Sequence, residues 1–271
     1  MKTFKFSYLW LGLTAFALAA ALAFYGHNVR LHLGCPAVAT GWSLVALMIF
    51  LSLFNVRKKL SMLPLGSAQT WLKLHVTGGI LALFFFWIHI GSFWPLGRYE
   101  QALALLFYFL TANGIVGYFL QKIYPGQMTQ TGLEVIYERI PAEIAEIRER
   151  AETLVLECTQ STGVETLARY YLETLDWFFH RPRFFTSHAV GRQKALHWLR
   201  QHFSVVKGYL NDAESVYLTK LQILAETKNK LDIHYTLQTI LKSWLLIHLP
   251  LTAAILVLAI WHILLVHIYA L

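Results

Sequence analysis

Four histidines, His75, His89, His248 and His262, are the residues of this 271-residue chain whose type and spacing most directly suggest chemistry. They form two couples with the same internal spacing of fourteen residues, and each couple lies in an apolar run. In an α-helix fourteen residues come within about 40° of four whole turns and rise roughly 21 Å, so both rings of a couple share nearly one face at two depths. A polar ring in hydrocarbon needs a partner, which makes an intramembrane histidine a functional candidate. Two imidazoles on opposing helices at one height are what a six-coordinate haem iron takes, one on each face of the macrocycle.

The elements that must position these rings are apolar and long. Hydrophobic residues make up 56% of the chain and charged ones only 14%, a composition that points to the membrane. Five runs, near residues 6–25, 37–55, 71–95, 101–121 and 244–269, are long enough to cross a hydrocarbon core of about 30 Å. The first follows Lys2 and Lys5 and carries small residues from Ala17 to Ala23, as a secretory signal would; its length reads as a retained helix. The expected fold is all-α: an integral membrane bundle of five transmembrane helices with a helical cytosolic insertion. The expected divisions are an additional N-terminal transmembrane helix with its outer loop (1–36), haem-bundle helices two to four (37–125), a soluble insertion (126–242), and the last haem-ligating helix (243–271).

Depth turns the two intervals into pairs. His75 and His248 each lie about four residues into their runs, and His89 and His262 about eighteen. One crossing separates the two helices, so they run parallel and equal offsets mean equal heights. His75 is then expected to face His248, and His89 to face His262. Each ring would coordinate through one nitrogen and give its N–H to a backbone carbonyl or another nearby acceptor. Gly114 and Gly117 in the fourth run are candidates for clearing space beside a macrocycle, close packing of helices being their other role. Lys73 and Arg98 are candidate donors to haem propionates, their other role being to anchor the helices at the headgroups. Lys122 and Lys242 are further donors on one side and Arg30 on the other. His267, five residues after His262, is rotated by roughly 140° from it and reads as an interfacial histidine, with a quinone contact or proton relay as the alternative.

Charge sets the expected orientation. The formal net charge of +8 could suggest nucleic acid, but 14 of 15 acids and 14 of 23 bases lie within 126–242, which is formally neutral. The excess belongs to the membrane part. Under alternating crossings Lys2, Lys5, Arg57, Lys58, Lys59, Lys73, Lys122 and Lys242 fall on one side, leaving Arg30 and Arg98 opposite. The positive-inside bias makes the populated side cytoplasmic. The expected location is a bacterial inner (cytoplasmic) membrane, with the N-terminus and 126–242 cytoplasmic and the C-terminus periplasmic. Cys35 and Cys158 then lie on opposite sides of the bilayer and cannot pair, and no Cys-x-x-Cys-His supports covalent haem attachment.

Pro125 and Gly126 are expected to end the fourth hydrophobic segment. In the insertion, Pro141 starts a helix whose Ile144, Ile147, Ala151, Leu154 and Cys158 recur at three- and four-residue steps, with Gly163 as its breaker. A second helix carries Leu167, Tyr170, Tyr171 and Leu175. Further helices are expected near 190–207 and 212–240, the last running on into the fifth run. Ten acids against four bases from Glu134 to Asp176, then six bases and no acid from Trp177 to Asn211, suggest two layers attracting each other. A basic stripe for lipid or for a redox partner is the alternative. The insertion contains no Gly-x-Gly-x-x-Gly and no phosphate loop.

The order and spacing of His75, His89, His248 and His262 resemble the membrane cytochrome b proteins that hold two haems in a four-helix bundle, as in quinol:cytochrome c oxidoreductases. In that family the ligands lie on the second and fourth bundle helices, the places these pairs occupy if runs two to five are the bundle. The resemblance covers roughly 37–124 and 244–271. An added first span, the insertion and the inverted charge bias depart from it, and no quinol-oxidation loop motif is present. The resemblance implies two haem b groups, with quinone a further candidate. It also implies a subunit carrying electrons between a quinone pool or cytosolic donor and a periplasmic c-type cytochrome, iron-sulfur protein or reductase, with quinol oxidation or quinone reduction among the reactions of the whole complex. Membrane lipid is the other expected partner, and nucleic acid is not one. The alternatives are a proton-coupled transporter or channel with a histidine relay, which would not need matched heights, and a membrane metalloenzyme, for which no His-x-x-His-His or His-Glu-x-x-His exists.

Overall fold

The computed structural model describes residues 36–59 and 67–269, together with Ala17, Ala20, Ala21 and Phe24, which are helical. The remainder of the expected first span lies outside the described residues, as do Lys2, Lys5, Arg30 and Cys35. Numbered from Pro36, the helices are α1 (Pro36–Lys59), α2 (Ala68–Ile90), α3 (Arg98–Gln130), α4 (Ile140–Thr162), α5 (Thr166–Tyr170), α6 (Asp176–His180), α7 (Phe185–Ala189), α8 (Lys194–Lys207) and α9 (Asp212–Tyr269). A 3-10 turn at Tyr137–Arg139 precedes α4, and a π turn at Tyr171–Leu175 joins α5 to α6. The fold is all-α, with no strand among the described residues. Four helices, α1, α2, α3 and α9, are long and apolar enough to cross a membrane. Large apolar side chains on them face outward, Ile80, Leu105, Phe109, Val257 and Ile260 each being more than half exposed. Surface of that kind suits lipid and is compatible with a multi-pass membrane protein.

Local chemistry sets the helix ends. Ser67 caps α2 by accepting the Thr70 N–H at 3.2 Å, and Gly91 closes it at φ 65°, its N–H donated to the Trp87 carbonyl at 3.0 Å. The third apolar run therefore stops being helical at Ile90, earlier than its hydropathy suggests. Proline behaves otherwise: α3 runs through Pro125 to Gln130, and α9 through Pro250. Each ring removes one helical N–H donor without ending its helix.

The chain divides into two compact units, residues 1–118 with 245–271, and residues 119–244. In the first, Leu44 and Met48 of α1, Phe85 and Phe86 of α2, Phe107 of α3 and Ile255 of α9 form the buried centre. Phe86 stacks on Phe107 with ring centres 4.4 Å apart, and the Tyr99 hydroxyl donates to the Leu258 carbonyl at 2.8 Å, tying α3 to α9.

In the second unit Ile144, Ile147, Ala151 and Cys158 bury one stripe of α4 and Leu154 packs beside it, against Leu167, Tyr171, Phe178, Leu199 and Leu221. Gly163 closes α4 at φ 69°. Three acids of α4 are paired locally: Glu143 with Arg139 of the preceding turn, Glu152 with Arg148 and Glu146 with Arg150, all four residues apart. Among the described residues no Lys or Arg of 177–211 forms an ion pair with an acid of 134–176. The expected attraction between two charged layers is therefore replaced by pairing within a helix.

Candidate functional site

All four histidines lie in the first unit, two on α2 and two on α9. The ring centres of His75 and His248 are 6.3 Å apart with their planes at 69°; those of His89 and His262 are also 6.3 Å apart, at 90°. The matched order, 75 with 248 and 89 with 262, means that α2 and this part of α9 run parallel in register. Two imidazoles bound on opposite sides of one metal put their ring centres about 6 Å apart, the sum of two bonds of about 2.0 Å and two nitrogen-to-centre radii of about 1.1 Å. Both pairs have that separation.

Hydrogen bonding distinguishes the two nitrogens of the rings. His75 Nδ1 lies 3.2 Å from the Leu51 carbonyl, and His89 Nδ1 3.0 Å from the Ala37 carbonyl and 3.3 Å from the Thr40 hydroxyl. His248 Nδ1 lies 3.0 Å from Asn113 Oδ1. An Nδ1–H that donates to an oxygen places the lone pair on Nε2, leaving that nitrogen as the ligand. His262 has its ring stacked on Tyr99, centres 6.1 Å apart and planes at 24°.

Space around the rings is set by small residues. A Cβ on Gly41 of α1 would lie 2.9 Å from His89 Cε1, so only glycine lets α1 come this close to the ring. A Cβ on Gly114 would meet only His248 Cε1, at 3.8 Å; Gly117, one turn further along α3, is buried. Lys73 is half-buried on α2 two residues before His75, and Arg98 is exposed at the first position of α3. Lys242, considered above as a propionate donor, pairs with Glu138 and lies 4.0 Å from the Tyr137 ring centre. His267 turns away from both pairs: its Nδ1 donates to the Ile263 carbonyl at 2.8 Å, and its ring meets the edge of Trp42 at 6.0 Å.

Among the described residues no group of three or more His, Cys, Asp or Glu is gathered to hold a metal ion. A metal at either pair would take two ligands from the protein and the others from elsewhere. That donor set, two imidazoles at each pair with Nδ1 hydrogen-bonded on three of the four rings and small residues on the adjoining helices, fits the axial needs of a haem.

The histidine spacing pointed to the four rings, but it missed the groups that orient them. Asn113 and Thr40 carried a signal of their own, as polar side chains within apolar runs. Gly41 and the carbonyls of Ala37 and Leu51 had none, because backbone contacts between helices leave no mark on composition. Comparison with protein-family models, with curated proteins and with solved structures finds no match. The functional argument therefore rests on the site itself.

Proposed function

We propose that the chain is a di-haem cytochrome b subunit that carries electrons across a membrane. The observation that carries this reading is the pairing of four histidines from two parallel apolar helices into two couples with the same 6.3 Å separation. Bound iron porphyrin would supply reversible one-electron chemistry at each couple. The chain's own part is to hold the rings: α1 and α3 provide the oxygens that fix Nδ1 on His75, His89 and His248, and Tyr99 braces the face of His262. Fourteen residues of helix set the couples roughly 21 Å apart along the axis, which spreads them over most of a hydrocarbon core.

The distribution of basic residues supports a cytoplasmic side at the His75–His248 end. Electrons would pass between a quinone pool or cytosolic donor there and a periplasmic c-type cytochrome, iron-sulfur protein or reductase. A relay of protons would use buried histidines too, but it gives no reason for two couples with one separation.

The test is optical. Protein purified in detergent and reduced with dithionite is expected to show sharp b-type absorption bands and about two haems per chain. Protein that carries no haem when expressed with an adequate haem supply sinks the reading.

A further inference from the structure

The two couples differ in how their Nδ1 atoms are satisfied. In one, both rings donate to oxygen: His75 to the Leu51 carbonyl at 3.2 Å and His248 to Asn113 Oδ1 at 3.0 Å. In the other only His89 does, to the Ala37 carbonyl at 3.0 Å with the Thr40 hydroxyl beside it at 3.3 Å; among the described residues nothing hydrogen-bonds His262, whose ring stacks on Tyr99. Asn113 is also costly where it stands. It lies on α3 among Leu110, Ala112, Ile115 and Val116, and an amide in such an apolar run must earn its place through a partner.

We infer that Asn113 is a positioning residue for His248, fixing Nε2 as the coordinating nitrogen and holding the His75–His248 centre at a lower reduction potential than the His89–His262 centre. The inference rests on the haem reading above. A hydrogen bond from Nδ1–H to oxygen pushes electron density into the ring and raises the basicity of Nε2. A more basic ligand favours ferric over ferrous iron, which lowers the potential of the couple. With both rings donating at one centre and only one ring at the other, the electron rests more stably at His89–His262. Transfer along the chain is then downhill from the first couple to the second. Of the three carbonyl-type acceptors, Asn113 is the one that belongs to a side chain, so substitution can remove it without disturbing a helix backbone.

The experiment is a redox titration of the full-length protein with its bound haem, followed by absorbance, in the wild type and two variants. Asn113→Leu keeps the volume and removes the acceptor; the lower of the two steps is expected to move to higher potential while the upper stays. Asn113→Asp restores an oxygen at the same place, and the lower step is expected to return to the wild-type position or below it. A purely packing role for Asn113 predicts no such reversal. The inference is overturned if Asn113→Leu moves neither step or moves the upper one, or if Asn113→Asp shifts like Asn113→Leu. Should Asn113→Leu lose the haem of that couple, Asn113→Asp decides alone: a lower step at or below the wild-type position supports the inference, and a raised one ends it. Wild-type protein without haem fails the functional reading, whereas a two-haem protein whose steps ignore Asn113 fails only this inference.

Discussion

The two units bury polar groups in contrasting ways. In residues 119–244 one buried cation and one buried anion answer each other, although Glu214 Oε1, Asp232 Oδ1 and His188 Nε2 are buried there without a hydrogen-bond partner among the described residues. Lys228 and Asp232, both wholly buried, pair at 2.7 Å; Lys228 Nζ also donates to the Arg181 carbonyl at 2.9 Å and lies 4.1 Å from the Phe178 ring centre. The backbone N–H of Arg183 donates to Asp232 at 3.3 Å, so the pair pins the turn after α6 onto α9. In the membrane-type unit the polar side chains between the helices include four half-buried imidazoles, buried Thr40, and Asn113, and the contacts that orient the rings use one nitrogen on three of the four. The second unit thus pairs opposite charges with each other, whereas the first fixes one nitrogen of a ring against an oxygen of a neighbouring helix.

The largest effect should come from the four histidines proposed as haem ligands. His75→Ala and His248→Ala are each expected to abolish the same haem, and His89→Ala and His262→Ala the other one, read as one haem per chain and the loss of one titration step. Crossed losses, with His75→Ala removing the haem lost with His262→Ala, would break the parallel register of α2 and α9.

In the other unit the test is thermodynamic. Lys228→Ala leaves a buried carboxylate without its cation and is expected to destabilise that unit by about 3–5 kcal/mol, seen as faster hydrogen exchange in α6 and α8 of the full chain. The double variant Lys228→Met with Asp232→Leu should recover most of the loss, because an apolar pair of similar volume needs no partner. If the double variant were as unstable as the single one, the anchoring of the 181–183 turn would matter more than the charge balance.

A smaller effect concerns His188, which is 4% exposed and whose Nε2 has no hydrogen-bond partner among the described residues. Burial, and then the Lys228 charge, hold its pKa down to about 4 from 6.5. The folded state therefore prefers the neutral ring. That contribution to stability is complete above pH 6.5 and is lost as pH falls through 4, by up to about 3 kcal/mol. His188→Leu should flatten the slope between those pH values in denaturant titrations of the full chain. An unchanged slope would mean that other groups set the acid sensitivity of this unit.

Much of this architecture was legible in the sequence, and the exceptions have physical causes. Apolar length found α1, α2, α3 and the end of α9, and the three- and four-residue repeat of Ile144, Ile147 and Ala151 found α4. The interruption of the α5–α6 helix by a π turn at Tyr171–Leu175 had no sequence marker. Pro125 misled because the penalty for proline is local: one lost hydrogen bond does not stop a helix held by apolar packing on both sides. The run of bases after Trp177 suggested partners in the acidic helix, but charges spaced by four along α4 reach one another first. For the site, depth and spacing were enough to name the rings that meet, since both follow from the rise of a helix. Of the oxygens that orient them, the carbonyls of Ala37 and Leu51 were not legible, because main-chain atoms leave no mark on composition.

Gly41 offers the finest test of the contrast, since it alters the setting of one ring and removes no ligand. In Gly41→Ala the new Cβ would stand 2.9 Å from His89 Cε1 and 3.2 Å from Nδ1, closer than carbon atoms in a packed interior tolerate. α1 cannot yield easily at this point, because the adjacent Thr40 is buried. The ring must shift instead, lengthening its own bond to the Ala37 carbonyl and tilting Nε2. The expected result is a partial loss of haem from the His89–His262 couple, between one and two haems per chain, with the His75–His248 couple intact. Gly126→Ala is the control, since a Cβ there meets nothing within 4 Å. Equal losses from both couples would show that α1 positions the whole bundle and not one imidazole, and full occupancy would show that His89 tolerates a shift that the 6.3 Å separation argues it cannot.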